Sequence, residues 1–157
     1  MTHMKNEIER KFLVNEPPLN LEDCTAYDIR QGYMHVSENM EIRIRRKGDQ
    51  HFQAVKLGTG LNRHEVENEI GQLQFEELWP DTEGRHVEKT RYEIPYENLV
   101  IELDIYEGDL KGLITAEVEF ESEEESAHFT PPTWFGPEIT HDERYKNKNL
   151  ALDGLPR

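Results

Sequence analysis

A single cysteine, Cys24, in a chain of 157 residues leaves no second thiol for an internal disulfide and excludes a zinc site built on cysteines. No apolar run approaches the roughly 18 residues of a membrane span. The first residues also lack the pattern of a signal peptide. Positive charge is scarce, with 18 Lys and Arg against 33 Asp and Glu and a net charge of −15. So acidic a chain is a poor candidate for non-specific binding of nucleic acid or anionic membrane. The seven histidines include no pair at metal-binding spacing. No repeat, low-complexity tract or linker divides the sequence. These absences lead to the expectation of one cytoplasmic domain over residues 1–157, with neither nucleic acid nor membrane as partner. Thr2-His3-Met4 reads as an expression-vector remnant ahead of a natural start at Met4 and is set aside from the fold argument.

What is present is charge, at 32% of residues, arranged in short alternating runs. Strands are expected over 8–14, 29–36, 40–46, 51–57, 62–70, 85–94, 99–106 and 114–121, mostly joined by short turns. That pattern belongs to an antiparallel sheet or barrel. Gln72 to Trp79 reads as a short helix stopped by Pro80. Ser122 with Glu125 and Thr140 with Glu143 have capping-box spacing, which predicts helices over 123–129 and 141–149.

Side chains alternate between the two faces of a strand, so residues of one parity share a face. Glu7, Glu9 and Lys11 fall together, as do Glu41, Arg43 and Arg45. So do Glu65, Glu67 and Glu69; Arg85, Lys89 and Arg91; Glu102 and Asp104; and Glu117 and Glu119. Lys56 shares its side with Phe52 and Ala54. The simplest account of such rows is a solvated sheet face. Two features speak against it. The rows are almost pure charge, without the Thr, Ser and Gln that usually pad a wet surface, and their signs cluster by strand. Closed into a barrel with these faces inward, the sheet would set a basic wall against an acidic one. A dry interior of that kind costs several kcal/mol for each unpaired ion. A wet one holding a polyanion and divalent cations does not. Arginine forks fit phosphate oxygens, and carboxylates fit Mg²⁺ or Mn²⁺. The apolar faces would then point outward, to be covered by the helices or by a second subunit in a homodimer.

The ordered set Glu7-x-Glu9-x-Lys11, Arg43-x-Arg45, Lys56, Arg63-x-Glu65-x-Glu67, Arg85-x-x-x-Lys89-x-Arg91, Asp104 and Glu117-x-Glu119 resembles the CYTH-type triphosphate tunnel metalloenzymes. The likeness is strongest to the small bacterial members that act on inorganic triphosphate. It implies an all-β-dominated fold: an eight-stranded antiparallel barrel forming a charged tunnel, with helices outside and at the C-terminus. It implies hydrolysis of tripolyphosphate to pyrophosphate and phosphate with one or two Mg²⁺ or Mn²⁺ ions. By the resemblance, Glu7, Glu9, Glu117 and Glu119 are the metal ligands, with Glu65, Glu67 and Asp104 less firmly assigned. Lys11, Arg43, Arg45, Lys56, Arg85, Lys89 and Arg91 hold phosphate. Lys11 is the candidate proton acceptor, and Tyr33 the residue that orients water or Lys11. Arg10 falls on the opposite parity and is read as outward. The rival readings are a class IV-type adenylate cyclase or a thiamine triphosphatase on the same fold, and a polyphosphate-binding module without turnover. The last helix, carrying Arg144, Lys146 and Lys148, is read either as a lid on the tunnel or as a solvated helix.

Overall fold

Each of the eight alternating runs forms a strand, because branched and aromatic side chains on one side have a surface to pack on while charged ones take the other. The structure is a computed structural model and describes the backbone of residues 2–4 together with residues 8–58 and 64–156. Nine strands make one antiparallel sheet: β1 (Thr2–Met4), β2 (Glu9–Leu13), β3 (Thr25–Val36), β4 (Met40–Lys47), β5 (Gln50–Leu57), β6 (His64–Ile70), β7 (His86–Tyr96), β8 (Leu99–Tyr106) and β9 (Ile114–Glu119). Their order across the sheet is β1-β6-β5-β4-β3-β7-β8-β9-β2. Two differences from the expectation stand out. β3 begins at Thr25 rather than at 29. The segment set aside as a remnant forms β1 and pairs with β6, Thr2 opposite Val66. Glu7, Thr59, Gly60, Asn62 and Arg63 lie outside the described residues.

Chain connectivity forces this sheet to curl. β1 and β2 are its two edges, yet they are consecutive in sequence, from Met4 to Glu9. Nine flat strands at about 4.8 Å spacing would separate the edges by roughly 38 Å, whereas five backbone steps reach at most roughly 18 Å. The barrel therefore exists in the order of neighbours rather than as a ring closed by ladder hydrogen bonds. The outer edge of β2 is covered by residues 136–139. Gly136 N donates to Leu13 O (2.6 Å), Leu13 N to Pro137 O (2.9 Å) and Ile139 N to Lys11 O (2.8 Å). A Cβ at Gly136 would lie 2.7 Å from Leu13 O, so only glycine lets the strap approach this closely. An edge covered in this way is no template for another chain.

The helices are short. In α1 (Gln72–Leu78), Phe75 is buried against His51, with ring centroids 5.1 Å apart, and Pro80 turns the chain into a 3-10 turn over Trp79–Thr82. In α2 (Glu123–His128), the Ser122 hydroxyl accepts from Glu125 N (3.0 Å), as its spacing predicted. The helix expected over 141–149 does not form as one piece. The Thr140 hydroxyl is engaged elsewhere, accepting from Lys11 N (3.0 Å) and donating to Glu138 (2.5 Å). Asp142 caps a single 3-10 turn, Glu143–Tyr145, and α3 (Asn147–Asp153) follows it.

Two apolar clusters result. On the outer face, Val14, Ile101, Leu103, Ala116, Val118 and Phe120 pack under Phe129, Trp134 and Phe135. Trp134 and Phe135 are packing anchors of this cluster. On the inner face, Leu150 and Ala151 of α3 pack on Tyr33, Val87 and Tyr106, with Leu110 and Leu113 beside them. The inner wall is therefore not uniformly ionic: α3 closes one end of it with apolar side chains.

Candidate functional site

Strand register decides whether the charged rows meet. Residues opposite one another in an antiparallel ladder share a face. Glu9 lies opposite Glu119, Lys11 opposite Glu117, and Glu117 opposite Glu102. Asp104 lies opposite Arg91, Tyr33 opposite Arg43, Gln31 opposite Arg45, and Lys56 opposite both Glu41 and Glu65. Every described row of charge is thus on one face. That face is the inner one, because groups on strands that are not neighbours sense each other. Lys11 on β2 feels Asp104 on β8 and Arg91 on β7, and Arg45 on β4 feels Arg91.

The centre of the face is a buried ion cluster. Asp104 is only 3% exposed. Arg91 donates to both of its oxygens, Nε to Oδ1 (2.8 Å) and Nη2 to Oδ2 (2.9 Å), and Lys89 Nζ lies 2.8 Å from Oδ2. The remaining Arg91 nitrogen, Nη1, donates to Glu102 (3.1 Å). Burial alone would raise the Asp104 pKa, but these two cations hold it well below the usual carboxylate range. Burial also drives Lys89 down to about 8. Both carboxylate oxygens of Asp104 face cations, so its geometry is that of a counter-ion.

Arg43 and Arg45 are engaged differently. Their ion pairs are long, 3.8 Å to Glu65 and 3.6 Å to Glu67. The Nε atoms of both are buried without a hydrogen-bond partner among the described residues. A buried guanidinium donor without an acceptor is costly, and an anion supplied from outside would satisfy it. Burial and the neighbouring Arg43 also lower the pKa of Arg45.

Two further groups lie on this face. Tyr33 is buried, its hydroxyl accepts from Gln31 Nε2 (2.7 Å), and Arg43 lies opposite it in the ladder. The amide nitrogen donates, so this bond falls on the phenol oxygen and leaves its proton to give. Burial raises the pKa of this hydroxyl. Lys11 Nζ donates to Tyr145 O (2.7 Å), and burial lowers its pKa against the pull of Glu117, Asp104 and Glu9. The C-terminal segment thus reaches the site directly. Lys148 pairs with Glu41 (3.4 Å), and the Tyr106 hydroxyl meets Asn147 (3.3 Å).

At the other end of the face carboxylates accumulate. A cavity of about 440 Å³ is lined by Glu93, Glu102, Glu119, Glu121 and Glu125. Among the described residues no three His, Cys, Asp or Glu side chains form a ready-made metal cluster. The cross-strand pairs Glu9/Glu119 and Glu102/Glu117 nevertheless bring carboxylates side by side, with Arg91 paired to Glu102 and Lys11 opposite Glu117. Burial together with Glu117 raises the Glu102 pKa. An all-oxygen donor set of this kind fits a hard divalent ion.

Not every predicted residue joins this face in the same way. Arg85 donates to two backbone carbonyls, Tyr33 O (2.8 Å) and Asp81 O (2.7 Å). Arg10 faces outward, paired with Glu138 (2.8 Å) and seated over Phe12 and Phe129. Gln31, Glu102 and Lys148 border the site but were not selected from the sequence. Glu102 stood in a charged row, and only register brings it against Glu117.

Comparison with known proteins gives the family. The CYTH domain model matches residues 5–131. A protein of Nitrosomonas europaea described as an inorganic triphosphatase is 48% identical over 149 residues, covering 93% of this chain and 97% of its own. One of Acetivibrio thermocellus with the same description is 36% identical over 151 residues, covering 94% of each. A crystal structure of an inorganic triphosphatase superposes with a TM-score of 0.79 at 45% identity, covering 99% of both chains. A putative adenylate cyclase of Bacillus halodurans, at 16% identity and a TM-score of 0.57, shares the fold.

Proposed function

This chain belongs to the CYTH domain family, and on that premise we propose that it hydrolyses inorganic triphosphate to pyrophosphate and phosphate. The observation that carries the reading is the pair of inward arginines, Arg43 and Arg45, whose buried Nε donors await an anion's oxygens. Close relatives described as inorganic triphosphatases support it.

Phosphoryl transfer needs charge neutralisation and alignment more than covalent chemistry by the protein. Arg43 and Arg45 grip phosphate oxygens, with Lys56 adding point charge from the next strand. Asp104 fixes Lys89 and Arg91 as a rigid wall beside the arginine pair, so these side chains need not move when substrate arrives. Glu9, Glu117 and Glu119, with Glu7 and Glu102, would hold Mg²⁺ or Mn²⁺. Such an ion neutralises phosphate charge and acidifies bound water. Glu65 and Glu67 are shared with the arginines and serve as their counter-charges before substrate arrives. Water attacks a terminal phosphorus in line, the bridging P–O bond breaks, and pyrophosphate leaves. Tyr33, kept protonated, donates its one free hydrogen to a phosphate oxygen or to the attacking water. Lys11, its pKa lowered by burial, accepts the water's proton at Nζ when it is neutral.

Phosphate release from tripolyphosphate should vanish with EDTA and return with Mg²⁺ or Mn²⁺. An enzyme fully active in EDTA would reject the metal requirement. Absence of release with either ion would reject the activity itself.

A further inference from the structure

The mechanism above leaves Arg85 without a task. It was expected to hold phosphate, but its guanidinium is committed to the backbone. Nε donates to Tyr33 O (2.8 Å) and Nη2 to Asp81 O (2.7 Å). Its own backbone completes a clasp, with Tyr33 N donating to Arg85 O (3.0 Å) and Arg85 N to Thr82 O (2.9 Å). The 3-10 turn behind it is equally fixed. Thr82 is fully buried, donates to Trp79 O (2.6 Å) and meets His86 Nε2 (2.6 Å), while Trp79 stacks on His86 with centroids 3.9 Å apart.

This assembly bears on β3 at the residue before Tyr33. A Cβ at Gly32 would lie 2.4 Å from Thr82 Oγ1, so the turn touches the strand backbone itself. Immediately after Tyr33 the β3–β4 register shifts, with Tyr33 opposite Arg43 but His35 opposite Ile42. A bulge re-aims the side chains around it. Left free, the bulge would let the Tyr33 ring swing. With Gly32 pressed by Thr82 and the Tyr33 peptide groups clasped by Arg85, the hydroxyl is held on Gln31 Nε2 (2.7 Å), on the face where Arg43 lies opposite Tyr33.

We propose that Arg85 is a positioning residue: through the Tyr33 backbone it fixes the Tyr33 hydroxyl on the face shared with Arg43, and it does not bind phosphate itself. The proposal rests on the triphosphatase reading for its kinetic consequence but not for its geometry.

The test is a double-mutant cycle of Arg85→Ala and Tyr33→Phe, with Arg85→Lys as the conservative variant. Tripolyphosphate turnover is measured beside the ¹³C signal of the Tyr33 ring. Arg85→Ala should lower kcat about 10-fold with KM changed less than about twofold, and should add less than about twofold in the Tyr33→Phe background. Arg85→Lys, retaining one donor, should recover part of kcat. The Tyr33 ring signal should move in Arg85→Ala without ligand. An equal loss in both backgrounds, or a roughly 10-fold rise in KM with the ring signal unmoved, would make Arg85 a phosphate ligand and overturn the proposal. Should wild-type protein turn over no triphosphate, the activity reading fails, and the ligand-free ring signal still decides the positioning role.

Discussion

Asp104 shows how one carboxylate organises its neighbours. It lies between Lys89 and Arg91 with almost no exposure, and its two oxygens receive three short contacts. Removing one partner of a buried ion set leaves charge uncompensated, at a cost of about 3–5 kcal/mol. Asp104→Asn should therefore lower the urea-unfolding free energy at pH 7 by about that much, and a loss under about 1 kcal/mol would show the cluster to be wetter than its burial implies. The pH dependence follows with a definite sign. The folded state holds the ionised carboxylate more tightly than the unfolded chain does, because Lys89 and Arg91 keep its pKa low. Its stabilisation is complete above about pH 4 and drains away as pH falls further. Stability measured from pH 6 to pH 2.5 should fall in wild type, and the Asp104→Asn curve should be flatter by that contribution.

Among the elements, α3 carries the most consequence for its length. Its seven residues bury Leu150 on the inner-face cluster with Tyr33, Val87 and Tyr106. Leu150→Ala should cost about 2–4 kcal/mol by lost transfer energy and cavity formation, read as a shift in the unfolding midpoint. A near-zero effect would mean that α3 lies on the barrel rather than in it. The same helix marks where sequence reading stops. The eight long strands were legible because period-2 alternation is local, and Ser122 with Glu125 was legible because a cap spans three residues. Thr140 with Glu143 has the same spacing but a different outcome: Lys11, far away in sequence, claims the Thr140 hydroxyl. The charged rows were legible as rows. That Glu102 faces Glu117, that Gln31 holds the Tyr33 hydroxyl, or that Arg85 clasps a carbonyl depends on register and a bulge, which no single strand encodes.

For the molecule as a whole, net charge is −15, so an anion bound at Arg43 and Arg45 must overcome a repulsive far field through close contacts. Salt should weaken the former at long range and the buried contacts much less. A ligand that binds only the folded state stabilises it by about 2.7 kcal/mol at a hundredfold excess over Kd. For a chain of this size that is a rise of about 5–10 °C in Tm. Tripolyphosphate with Mg²⁺ should produce such a rise and sodium sulfate at equal ionic strength a much smaller one; identical shifts would deny a dedicated site. The pairing of Glu9 with Glu119 sets a timetable as well. Strand β2 has to wait for β9, while the hundred residues between them are synthesised. Its cover, residues 136–139, and then α3 emerge later still. A nascent chain can zip its central hairpins early but cannot seal this sheet until β9 and the cover of β2 have been made. Chaperones that shield half-made sheets therefore have their longest window of action on β2.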